Sequence, residues 1–162
     1  MKNLLCFSQY EFDKIMEDKG WNDNNIPEDC AFISIISPES SGFGEEHYFK
    51  QNHNNVINLE FEDIFDYKVE YSDSIIYGMN DKQAEELFNF IENNKGKNFY
   101  IHCSAGISRS QAVVRFILDY YNDNYDKTSL NPNNPCEFPN LHVLHLLRRC
   151  WLKKFIKENY EK

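Results

Sequence analysis

In the second half of the chain, the nine residues His102-Cys103-Ser104-Ala105-Gly106-Ile107-Ser108-Arg109-Ser110 bring a nucleophile and an anion clamp together. A thiol at Cys103, ending a strand and facing the start of a helix, sits where backbone N–H groups and the helix dipole favour the thiolate. A thiolate can attack phosphorus and form a phosphocysteine intermediate. Five residues separate Cys103 from Arg109, whose planar guanidinium can grip two phosphate oxygens at once. Gly106 lets the loop take a conformation that other residues resist, so the N–H groups of Ser104, Ala105, Gly106, Ile107 and Ser108 can converge on an anion. The Ser110 hydroxyl, near the sulfur side of the loop, can stabilise the departing thiolate when water hydrolyses the intermediate. A cysteine before a helix is commonly just a small hydrophobe, and an arginine in a first turn a surface charge. Together, at this spacing and between a strand and a helix, these residue types carry the functional reading.

The elements that must hold this loop are legible from periodicity. Residues 99–101 form a short apolar strand running straight into His102 and Cys103, and Ala112, Val113, Phe116, Ile117 and Tyr120 keep helical spacing after the loop. Upstream, 4–7, 31–36 and 56–61 read as strands, and 69–77 as a small hairpin. Ser8 with Glu11 and Asn80 with Gln83 open helices as capping boxes, the first stopped by Gly20 and the second by Lys95-Gly96-Lys97. Leu141, Leu144, Leu147, Trp151 and Phe155 line a final helix, while 38–54 and 122–139 read as loops. Strands alternating with helices predict an α/β layer structure.

The loop matches the pattern HCxxGxxR[ST]. By it the chain resembles the protein tyrosine phosphatase superfamily, in the small dual-specificity type found in bacteria and phages. The likeness spans roughly residues 30 to 150 and is strongest over 98–121. It implies a central, mostly parallel sheet of four or five strands flanked by helices, and one catalytic domain over residues 1–162. It implies no metal and no organic cofactor. His102 becomes a supporting residue that orients the loop. The resemblance also calls for an aspartate to protonate the leaving oxygen, roughly thirty to forty residues before the cysteine and just past a strand. Asp63, directly after VINLEFE, is the first choice; Asp73 is the second and Asp66 the third. His142 and His145 lack ligand-spaced partners and read as packing or surface residues.

Composition narrows the substrate. Lys and Arg number 17 against 26 Asp and Glu, a net charge of −9, which disfavours nucleic acid and anionic membranes as partners. The loop between Cys103 and Arg109 contains no cation to meet additional phosphates, so a phosphoprotein, on tyrosine or on mixed residues, is the expected substrate. Five scattered cysteines without a CxxC pair indicate a reducing compartment, and no secretory signal or membrane-spanning run is present, so the expected location is the cytoplasm. Two alternatives use the same loop: a phosphoprotein-binding module without turnover, and arsenate reduction. Intact Cys103, Arg109 and Ser110 argue against the first. The second usually places its loop near the N-terminus.

Overall fold

Side chains along a strand point alternately to the two faces of a sheet, and that rule organises this molecule. The computed structural model describes residues 2–38, 45–121, 125 and 138–161. In chain order the elements are β1 (Leu4–Ser8), α1 (Gln9–Lys19), β2 (Cys30–Ile36), β3 (Val56–Glu60), β4 (Lys68–Glu70) and β5 (Ile75–Tyr77). There follow α2 (Asp81–Asn94), β6 (Asn98–Cys103), α3 (Arg109–Tyr120) and α4 (Leu141–Tyr160). Four strands form a sheet in the order β1-β6-β2-β3 with every pairing parallel. This is the expected α/β architecture with four parallel strands. β4 and β5 form a separate antiparallel hairpin. Most of the predicted 122–139 loop and part of the 38–54 loop lie outside the described residues.

β6 occupies an interior position, with Cys103 beside Ser8 of β1 and His102 beside Ser34 of β2. Phe99, Ile101 and Cys103 face a core built with α2, α3 and α4, through residues such as Leu87, Phe116 and Leu147. Tyr100 faces the opposite core, built around Phe12 and Met16 of α1 with Phe32 and Phe49. The sequence pattern ended β6 at Ile101 because His and Cys interrupt the apolar run; pairing with β2 as far as His102 and with β1 as far as Cys103 carries the strand on. The Asn80 capping box is complete, with reciprocal bonds to Gln83. At α1 the Ser8 side chain accepts from Glu11 N, and Gly20 closes the helix in the left-handed region. Among the described residues, no helix is long and apolar enough to cross a membrane.

One group in α1 sits uneasily. Burial, helped by repulsion from Glu17, pushes Asp13 up to about 6, and its Oδ1 is buried without a hydrogen-bond partner. The folded state therefore holds this proton more tightly than the unfolded chain does, and stability falls as pH rises from about 4 to about 6. Asp13→Asn should gain nothing at pH 4 and about 1 kcal/mol above pH 6, discounted for partial exposure, or about 2–4 °C in melting temperature. Thermal melts across that range check it. An advantage independent of pH would contradict it.

Candidate active site

The carboxyl ends of parallel strands are where an α/β sheet leaves its crevice, and here that edge carries a cleft of about 540 Å³. Cys103, the last residue of β6, is 2% exposed. Its Sγ accepts a hydrogen bond from Gly106 N–H at 3.2 Å and lies 3.1 Å from Ser110 Oγ. The Cys6 thiol donates to the same Ser110 oxygen at 3.1 Å. That bond leaves the Ser110 proton available for the Cys103 sulfur. The loop between is pinned from both sides: Gln9 N donates to Ser104 O at 3.1 Å and Gln111 Nε2 to Gly106 O at 3.0 Å.

Gly106 is required twice over. Its φ is +72°, and a Cβ there would lie 2.5 Å from the Phe7 carbonyl carbon and 2.6 Å from Ser8 N. Both are backbone atoms of β1, which cannot give way cheaply. Gly106→Ala should therefore displace the loop, weaken any anion binding there at least about tenfold and cost roughly 1–3 kcal/mol of stability. Calorimetry with phosphate and a thermal melt read the two effects. Normal affinity in the variant would show that the loop tolerates another shape.

Arg109, the first residue of α3, is 4% exposed. Nη1 donates to Phe61 O at 2.7 Å and Ser37 Oγ at 3.1 Å; Nη2 donates to Ser104 Oγ at 2.7 Å. Both serines are tied to one carboxylate oxygen: Glu45 Oε2 accepts from Ser37 N and from Ser104 Oγ, each at 2.9 Å. Arg109 Nε is buried and has no hydrogen-bond partner. The Ser108 side chain makes no cap bond to the first turn of α3; it donates to Asp63 instead. Arg109 and Ser108, at the start of α3, both line the cleft that holds Cys103, and a helix start with an arginine is where an anion is favoured.

Of the three candidate acids, Asp63 lines this cleft with Cys103. Its Oδ1 accepts from Ser108 Oγ and from Asn140 Nδ2, both at 2.7 Å. Asn140 also donates to Ile64 O and caps α4 through Val143 N, so one residue ties the Asp63 loop to the last helix. Asp66 lines a different cleft, beside Tyr67 and His142. Asp73 is exposed in the turn between β4 and β5. Neither lines the Cys103 cleft; Asp73 is carried away by the hairpin it turns.

His102 points to the other face of the sheet, its ring centroid 4.4 Å from that of Phe12. Nδ1 meets Cys103 O at 3.2 Å and Nε2 meets Ser34 Oγ at 2.7 Å; Ser34 Oγ in turn lies 2.6 Å from His47 Nδ1. A carbonyl can only accept, so His102 carries its proton on Nδ1, Ser34 donates to Nε2, and His47 donates to Ser34. Burial lowers His102 to about 3. Burial, then the nearby Lys50 charge, lowers His47 to about 4. Both rings are neutral near pH 7, and His102 steadies the backbone at Cys103 with no reach into the cleft.

A larger hollow of about 720 Å³ lies between α2 and α4, lined in part by Phe88, Cys150 and Lys154. Burial raises the Cys150 thiol, which keeps it protonated and unreactive. Sequence reasoning passed over Ser37, Glu45 and Asn140. The first two fall in or beside a segment read as loop. Asn140 could have been suspected as a helix cap, and no local signal links it to Asp63. No family model matches the chain, and no curated protein does.

Proposed function

We propose that the chain is a cysteine-dependent phosphomonoester hydrolase of the protein tyrosine phosphatase type, acting on phosphoproteins. The observation that carries this reading is the cleft in which Cys103 Sγ, held by Gly106 N–H, shares a wall with Arg109 and its unpartnered Nε. In the first step the Cys103 thiolate attacks phosphorus in line, and the bond from phosphorus to the ester oxygen breaks. Asp63, protonated, gives its proton to that oxygen. Arg109 and the loop N–H groups hold the equatorial oxygens as charge shifts onto them. In the second step water attacks the phosphocysteine, the Asp63 carboxylate takes its proton, and Ser110 donates to the departing thiolate. Inorganic phosphate leaves. The cycle needs a free thiol, which Cys103 is, and we place it in a reducing compartment, the cytoplasm.

Hydrolysis of para-nitrophenyl phosphate by reduced protein, blocked by vanadate and passing through a trapped phosphoenzyme, tests the proposal. Asp63→Asn should lower kcat roughly 10²–10³-fold for an alkyl phosphate and much less for an activated aryl phosphate, whose leaving group needs no proton. An equal loss on both would remove Asp63 from the acid's role. Phosphopeptide binding with no phosphoenzyme and no turnover would replace hydrolysis by recognition.

A further inference from the structure

Five carboxylates crowd the ground around Arg109. Glu45, Glu62 and Asp63 line its cleft. Glu45, Glu46 and Glu60 line a hollow of about 380 Å³ beside it, the two sharing Glu45 as a common wall. Among the described residues lining these clefts, the permanent cations are Arg109 and Lys50, and Lys50 pairs with Glu46 at 3.4 Å. His47 lines the second hollow but is neutral near pH 7, held down to about 4 by burial and then by Lys50. The side chains of Glu46 and Glu60 are 84% and 59% exposed, so both can meet a partner.

A carboxylate ring alone is usually a solvated face. Here three of the five share their cleft with Arg109, which is 4% exposed and whose Nε has no hydrogen-bond partner; a buried donor left unpaired calls for an acceptor. A phosphoryl group bound there brings about two negative charges of its own. Any further anion on the same ligand enters a repulsive field, while a cation beside the phosphate enters an attractive one.

We propose that the cleft takes a phosphorylated residue set in a lysine- and arginine-rich peptide segment, the flanking cations being received by Glu45, Glu46, Glu60 and Glu62. The proposal rests on the phosphatase reading and names the substrate class for that site. Acidic phosphopeptides are rejected by the same ring.

The test uses three phosphopeptides identical except for flanks of Lys/Arg, Ala or Asp/Glu, with para-nitrophenyl phosphate as a substrate that has no flanks. Each exposed pair contributes a factor of about two, so three flanking cations give a kcat/KM advantage of about eightfold over Ala flanks at low salt, and a larger one over acidic flanks. It should shrink severalfold at high ionic strength. The double variant Glu46→Lys/Glu60→Lys should narrow the ratio at least about threefold. If the aryl phosphate is hydrolysed and the peptides differ by less than about twofold, the selectivity is wrong and the hydrolase reading stands. If nothing is hydrolysed, the hydrolase reading fails, and calorimetry of the peptides on Cys103→Ser decides the selectivity: tighter binding of the basic peptide supports it, and equal binding overturns it.

Discussion

Cys103→Ser should lose at least about 10⁴-fold in turnover while still binding a phosphopeptide. A serine hydroxyl at this position could still accept from Gly106 N–H, so the loop would keep its shape. What it would lack is a route to the anion. A thiol reaches its nucleophilic form with help from a helix start and an N–H donor, whereas an alcohol needs a base to remove its proton. Among the described residues, no base is seen hydrogen-bonded to the Cys103 side chain, whose partners are Gly106 N–H and Ser110 Oγ. His102 is adjacent in sequence, but its Nε2 is engaged with Ser34 and its ring packs on Phe12 across the sheet. Asp63 is held by Ser108 and Asn140 and is assigned by the proposed mechanism to the leaving oxygen. The variant should show no phosphoenzyme by mass spectrometry and a dissociation constant for phosphopeptide within a few-fold of the parent. Turnover above about one per cent of the parent's would mean that another group attacks phosphorus. Ser110→Ala should do the reverse: phosphoenzyme forms and accumulates, because the hydroxyl 3.1 Å from the sulfur is the group that the proposed mechanism assigns to the departing thiolate.

How much of this was legible before the fold depended on how local each interaction is. The loop from His102 to Ser110 could be read because its chemistry is written in consecutive residues. The strands could be read because burial on both faces leaves 31–36 and 99–101 as nearly continuous apolar runs, as the fully buried β2 shows, while 56–61 alternates. The helix α3 was read from Ala112 onward, yet it begins at Arg109. Arg109, Ser110 and Gln111 are polar and buried, a combination that apolar periodicity passes over. Asp63 could be ranked because it follows a strand directly. Asp73 was attractive only for its separation from Cys103, and separation along a chain says little once a hairpin intervenes. The positioning groups were the least legible. Asn140 reaches Asp63 across 77 residues and Glu45 reaches Ser104 across 59; such contacts exist only after the sheet and helices have assembled. Cys6, in a strand read for its apolar character, gives no hint that it will donate to Ser110.

Arg109→Lys keeps the charge and removes the geometry, so it separates the two contributions. The guanidinium meets Phe61 O, Ser37 Oγ and Ser104 Oγ through its two terminal nitrogens and still has Nε in reserve. A lysine has one ammonium on a flexible stem. If it satisfies the Phe61 carbonyl it abandons the cleft; if it enters the cleft it leaves that carbonyl buried without a donor, at about 1–3 kcal/mol. In either position it cannot hold two phosphate oxygens in a plane. The loss expected in kcat is roughly 10²–10³-fold, the cost of removing a preorganised donor from a developing charge. Phosphate affinity should weaken at least about tenfold, with the melting temperature lowered by several degrees. Because the charge is unchanged, the salt dependence of binding should stay that of the parent, which a loss through simple electrostatics would not do. Kinetics near the parent's would mean that a positive charge alone suffices, and the serines and Glu45 around Arg109 would then have no part in aiming it.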